Sequence, residues 1–135
     1  MPLIQIDLME GHSDDVYREL IERCTALYAE ILDAPLERFR TQINVVPAAR
    51  WGLGGKAAPE RVSPLITIEL LDGRPRAVLM RVMAEQSALV AEILGVPVGQ
   101  TRVLIREFPA SHWGIGGVPA SEARADEVAA RAAAN

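Results

Sequence analysis

The chain has 135 residues, half of them apolar, with a formal charge of −4 and a sequence pI near 5.2. That length suits one compact domain with a real core. The acidic balance argues against nucleic acid as a partner, and no apolar run approaches the ~20 residues of a membrane span. The start of the chain lacks a basic region followed by an apolar stretch, so no secretory signal is read and a cytoplasmic location is expected. A single cysteine, Cys24, excludes an internal disulfide, and no Cys/His spacing suits a metal.

Ile4, Ile6 and Leu8 alternate with Leu3, Gln5 and Asp7, a period of two that predicts a strand. Gly11 ends it. Ser13 before Asp14 and Asp15 predicts a helix N-cap with an acidic first turn. Val16, Leu20, Cys24, Leu27 and Ile31 then keep helical spacing as far as Pro35, with Cys24 read as a small buried hydrophobe. A second strand is predicted from Phe39 to Val46. Trp51-Gly-Leu-Gly-Gly follows, its glycines suited to a tight hairpin. The linker Lys56-Ala-Ala-Pro-Glu-Arg-Val-Ser carries a proline and charges, as a connector should.

The same plan then returns 62 residues later. Residues 2–55 align with 64–117 without a gap, 22 of the 54 positions being identical, which is too many for chance in so short a window. Ile66, Ile68 and Leu70 predict a strand ended by Gly73. Pro75 suits the first position of a helix that carries Val78, Val82, Leu89, Val90 and Ile93 and stops before Pro97. Thr101 to Phe108 predicts the last long strand, and Trp113-Gly-Ile-Gly-Gly the second hairpin. The tail 118–135 is rich in Ala, Glu and Arg; its weak pattern fits either a short helix or a frayed end.

Each half is therefore a β-α-β unit, and such units cross over right-handedly between parallel strands. Two of them predict an α+β fold: a four-stranded sheet with both helices on one face and pseudo-twofold symmetry. Residues 1–135 form one domain made of the repeats 2–55 and 64–117, the linker 56–63 and the tail. The other sheet face is left uncovered. With Leu3 and Leu65 on alternating positions, that face is expected to meet something apolar, which implies an oligomer.

The two repeats open on chemically different prolines. Initiator Met is usually trimmed before proline, leaving Pro2 a free secondary amine that can take up and return a proton. Pro64 lies mid-chain, its nitrogen a planar amide with a delocalised lone pair. Pro2-Leu-Ile-Gln-Ile-Asp-Leu-Met-Glu-Gly-His-Ser-Asp-Asp, with Leu32-Asp-Ala-Pro-Leu, Arg40 and Trp51-Gly-Leu-Gly-Gly, resembles the 4-oxalocrotonate tautomerase family, and the resemblance runs through both halves. The chain looks like a fused, tandem member of the tautomerase superfamily.

That resemblance implies a cofactor-independent isomerase acting on enol or dienol carboxylic acids, 2-hydroxymuconate-like or phenylenolpyruvate-like, with no metal and with Pro2 as general base. It implies substrate binding by arginines at the family positions, which here are Arg74, Arg40 and Arg102, and an aromatic pocket wall at Trp113 or Trp51. The position matching Arg74 in the first half is His12. By the pattern of heteromeric relatives, Pro2 is expected to share its pocket with Arg74, and Pro64 with His12. A homotrimer is implied, since one fused chain resembles a dimer of short members. A dehalogenase, hydratase or decarboxylase on this fold is the rival enzymatic reading. Leu53 and Ile115 occupy the positions where heteromeric dehalogenases carry a water-directing glutamate, which disfavours it. A trimeric binding or assembly protein without catalysis is the reading from another class.

Overall fold

The computed structural model of the chain describes residues 2–134; Met1, whose loss the amine reading needs, lies outside the described residues. The elements in order are β1 (Leu3–Met9), α1 (Asp14–Leu32), β2 (Arg40–Val46), the hairpin β3 (Gly52–Leu53) and β4 (Lys56–Ala57), β5 (Leu65–Leu71), α2 (Arg76–Leu94), β6 (Arg102–Phe108), the hairpin β7 (Gly114–Ile115) and β8 (Val118–Pro119), then α3 (Ala120–Ala123) and α4 (Ala125–Ala134). The long strands form one sheet in the order β2-β1-β5-β6. β1 and β2 are parallel, as are β5 and β6, as crossover connections require. The two repeats meet through the antiparallel pair β1–β5. Its register places Gln5 opposite Thr67 and Leu3 opposite Glu69. Residues 62 apart thus occupy equivalent places about an axis through that central pair.

Alternation decides the faces. Ile4, Ile6, Leu8, Ile66, Ile68 and Leu70 point at the helices and are at most 1% exposed. Burying each such side chain is worth about 1.5–3 kcal/mol. α1 starts as its sequence predicts: the Ser13 hydroxyl accepts from the Val16 N–H at 3.3 Å, ahead of Asp14 and Asp15. α2 starts differently. Pro75 stands one residue before the helix, with ψ 144°, and its carbonyl accepts the first bond from Val78 at 3.0 Å. Proline suits this place too, because no N–H is needed from it. Gly95 closes α2 with φ 68°, while α1 ends on Asp33 at φ 49°. Each Trp-Gly-x-Gly-Gly forms a hairpin, with Gly54-Gly55 and Gly116-Gly117 all at positive φ.

The helix-free face differs from expectation. Gln5, Asp7, Gln42 and Asn44 join across β1 and β2 through side-chain hydrogen bonds of 2.9–3.2 Å. Arg106 pairs with Glu69 on the other side. Leu3, Leu65 and Leu104 share this face, so it is mixed rather than apolar. A polar network formed within the chain lets the face stand in water without costing unpaired groups. The tail does not fray: α3 and α4 follow the second hairpin, with Ala120 fully buried and its N–H on the Trp113 carbonyl at 2.7 Å. No helix among the described residues is long and apolar enough to cross a membrane.

Where the two long helices pack, the pseudo-equivalent residues Cys24 and Gln86 are both fully buried. Burial pushes the Cys24 thiol up to about 12, as for an inert packing residue. Gln86 Nε2 donates to the Cys24 carbonyl at 3.0 Å, a bond tying one repeat to the other. Gln86→Ala removes this bond and leaves a cavity, so it is expected to lower unfolding free energy by about 2–4 kcal/mol. Urea denaturation reads this as a lower midpoint with unchanged slope.

Candidate active site

The antiparallel β1–β5 pair sets the geometry of the site. It lays the start of each repeat's first strand beside the end of the other's. Pro2, just before β1, therefore sits beside Leu70, Leu71 and the turn that carries Arg74. These residues line one cleft of about 400 Å3 with Leu32, Pro35, Ile115 and residues of α4. The Pro2 carbonyl accepts the Arg40 N–H at 3.1 Å, which fixes the half-buried proline at the sheet edge of the cleft. The pseudo-equivalent arrangement puts Pro64 with Leu8, Met9, His12 and the linker residues Val62 and Ser63 around a space of only about 100 Å3. The continuing chain fills part of what is open around Pro2.

Arg74 stands ahead of α2, where a cation does not help the helix dipole, but its Nη1 donates to the Leu32 carbonyl at the C-terminal end of α1 at 3.3 Å. That carbonyl has no partner within its own helix, and the negative helix end favours a cation. Arg74 Nε is buried without a hydrogen-bond partner among the described residues. Burial holds the Arg74 guanidinium below its ordinary range, and Arg131 adds to this, against the influence of Tyr28 and Glu127. An arginine so placed keeps its charge and gains from any anion brought to it.

Among the described residues four arginines line the cleft, Arg38, Arg74, Arg124 and Arg131, against two carboxylates, Asp33 and Glu127. In a chain of formal charge −4 this is a local reversal of sign, of the kind that draws anions. Glu127 accepts from Arg38 Nη1 through both oxygens, at 3.0 and 2.9 Å, and lies 3.8 Å from Arg124. The Arg131 stem lies over Gly73, where an added Cβ would come within 3.2 Å of Arg131 Cδ.

Of the residues the sequence singles out, Pro2 and Arg74 thus share a cleft. Arg40 and Trp113 line a second, wider one of about 920 Å3 at one end of the strands, with Leu3, Gln42, Glu69 and the second hairpin. Ile115 belongs to both clefts, presenting an apolar wall to each. Trp113 packs edge-on against Phe108 at 5.5 Å, while Trp51 Nε1 donates to Ser63 at 3.4 Å. Arg102 turns away, donating to the carbonyls of Gly99 and Thr101 at 2.9 and 2.7 Å. Sequence reasoning did not single out Arg38, Arg124, Glu127 and Arg131. A signal existed for Arg38: its repeat equivalent is Gln100, the same kind of asymmetry that marks Arg74 against His12.

Comparison with known proteins gives the class. The model of the tautomerase family, described as tautomerase enzyme, matches the chain twice, over residues 2–60 and 64–123. The 2-hydroxymuconate tautomerase of Pseudomonas sp. (strain CF600) is 40% identical over 58 residues, 43% of this chain and 92% of that protein. That of Comamonas testosteroni is 37% identical over 60 residues, 44% and 95% respectively. A solved structure described as native fused 4-OT is 34% identical, covers 87% of this chain and 95% of its own, and superposes with a TM-score of 0.83. Another, a fused 4-OT asymmetric trimer, is 32% identical over the same shares, also with a TM-score of 0.83. The chain belongs to the tautomerase family, as a tandem-fused member, and is an isomerase by class.

Arg38 holds the Glu127 carboxyl below the usual carboxylate range, with Arg124 and Arg131 contributing. A carboxylate depressed in the folded state contributes stability above its unfolded value of ~4.3 and loses it as pH falls through the folded value. Docking of α4 is therefore expected to hold at neutral pH and to loosen slightly in acid below that range, an exposed pair being worth little, while Glu127→Gln stays docked at pH 7 and lacks the acid step. Backbone chemical shifts of residues 125–134 against pH measure this.

Proposed function

We propose that the chain is a cofactor-independent tautomerase that moves a proton within an enol or dienol carboxylic acid, with the Pro2 nitrogen as general base. The observation that carries this reading is the shared cleft of Pro2 and Arg74, where arginines outnumber carboxylates two to one. Removal of Met1 would give Pro2 a ring secondary amine, compact and fixed in direction by the strand behind it. Its lone pair takes the proton from the substrate's enol hydroxyl. The electron pair left on oxygen forms the ketone, the conjugated system shifts, and the proton returns to a carbon. No oxidant or reductant enters the balance.

A base works best with a pKa near the working pH. A free α-amine titrates at ~7.7–8.0, and cations beside an amine favour its neutral form. The guanidinium groups of the cleft act in that direction. Arg74 would hold substrate carboxylate with its planar fork and stabilise the oxygen on which charge develops. The 2-hydroxymuconate named for the relatives supports a dienol diacid as substrate. Arg40 and Trp113 are assigned contact with substrate from the adjoining cleft. Arg102 would have to leave its own carbonyls to take part. The trimer named for a related fused structure supports a homotrimer.

Pro2→Ala is expected to lower kcat by about 10²–10⁴-fold, the usual worth of a positioned acid–base group. Ultraviolet monitoring of enol-to-keto conversion measures it, on protein whose N-terminal residue is verified by intact mass. Equal rates would remove Pro2 as the base, and conversion no faster than the uncatalysed reaction with either protein would leave a binding or assembly role in its place. Arg74→Ala is expected to lower kcat/KM by about 10²-fold, with His12→Ala within about threefold of the parent. Comparable losses in both would reverse the pairing of the prolines. Sedimentation equilibrium is expected to give three times the 14.7 kDa chain mass.

A further inference from the structure

The C-terminal helix places a carboxylate of the chain itself on the arginines at the rim of the Pro2 cleft. Glu127 lies in the first turn of α4 and meets Arg38 at 2.9 Å, with Arg124 beyond it on the preceding turn. Arg124, Glu127 and Arg131 are three and four residues apart, so they share one side of the tail, and all three line the cleft. The partners differ in how they are held. Arg38 is 27% exposed, and Glu127 is 46% exposed. Glu127 is thus half in water, in a pair of the kind that contributes little to stability. No residue of α4 is buried. The helix rests on α3, on this ion pair and on the Arg131 stem over Gly73. Such a segment belongs to the least stable part of a fold.

The cations, by contrast, outnumber what Glu127 can satisfy. Arg74 keeps an Nε without a partner among the described residues in the same cleft. A ligand with one carboxylate at Arg74 still has Arg38, Arg124 and Arg131 within the same walls. We propose that Arg38, Arg124 and Arg131 form a second carboxylate subsite, occupied in the free protein by Glu127, which a dicarboxylate ligand displaces when its far end binds. This rests on the reading of the Pro2 cleft as the substrate site and adds the choice between one carboxylate and two. Glu127 is then an internal competitor. It lowers affinity for a dicarboxylate by the fraction of time it holds Arg38, and it costs a monocarboxylate little. Asp126, next to it on α4, carries the same charge but does not line the cleft, which separates occupancy from net charge.

The test is binding, read by calorimetry in the Pro2→Ala background so that no turnover intervenes. Adipate serves as the inert six-carbon dicarboxylate and hexanoate as its monocarboxylate match. Glu127→Gln is expected to tighten adipate by about fivefold, as follows if Glu127 holds the subsite about four-fifths of the time, and hexanoate by less than about twofold. Asp126→Asn is expected to change neither by more than about twofold. Arg38→Ala is expected to weaken adipate about tenfold, to the level of hexanoate, as loss of a charge-assisted contact does. Equal gains from Glu127→Gln and Asp126→Asn, or adipate binding unaffected by Arg38→Ala, would overturn the proposal. Because no catalysis is measured, adipate discrimination that persists in a chain whose Pro2→Ala variant turns over normally would remove the base and keep the subsite.

Discussion

The antiparallel pairing of β1 with β5 is the constraint from which the rest follows. It joins two β-α-β units whose own strands are parallel, and its register centres the pseudo-twofold axis between Gln5 and Thr67. Because paired strands run oppositely, each repeat's opening proline lies against the turn of the other repeat. Neither half can build its cleft alone. Pro2 needs the turn at Gly73 and Arg74, and Pro64 needs that at Gly11 and His12. The Gln86 bond to the Cys24 carbonyl repeats this dependence on the helix side.

Fusion makes the two clefts independent in sequence while leaving them equivalent in backbone. A change at position 12 touches one cleft and a change at position 74 the other. The two have separated accordingly. Arg74 and Arg38 stand where His12 and Gln100 stand in the other copy, and α3–α4 covers one site while linker residues fill its counterpart. The position of Ala58 in the first repeat, at φ 52°, is that of Ala120 in the second, where α3 begins. From that point the repeats part.

Much of this was legible in the sequence because it rests on period and punctuation. Alternation over residues 3–8 and 65–70 gave strands whose faces the structure keeps. Ser13 and Pro35 bounded one helix, and Trp-Gly-x-Gly-Gly formed hairpins where paired glycines could take positive φ. The exceptions have physical causes. Pro75 serves as a cap instead of the first helical residue, since its carbonyl, not its missing N–H, is what α2 uses. The second sheet face is polar in part because Gln5, Asp7, Gln42 and Asn44 satisfy one another across strands, a pairing that no single strand reveals. The tail's pattern could not choose between a short helix and a frayed end, because α4 buries none of its residues. Arginines spaced along a weakly apolar helix look like a solvated surface until a cleft is known to lie beneath them. Arg40 and Trp113 were readable as residues, but their shared cleft depends on where the second hairpin stands relative to β2.

Residues from opposite ends of the sequence, Pro2 and Arg131, line the same cavity wall to wall. An affinity handle or reporter fused next to either one would crowd that cavity. The connector around Glu60 and Arg61 is exposed and remote from that cavity, and it is where an insertion should be tolerated.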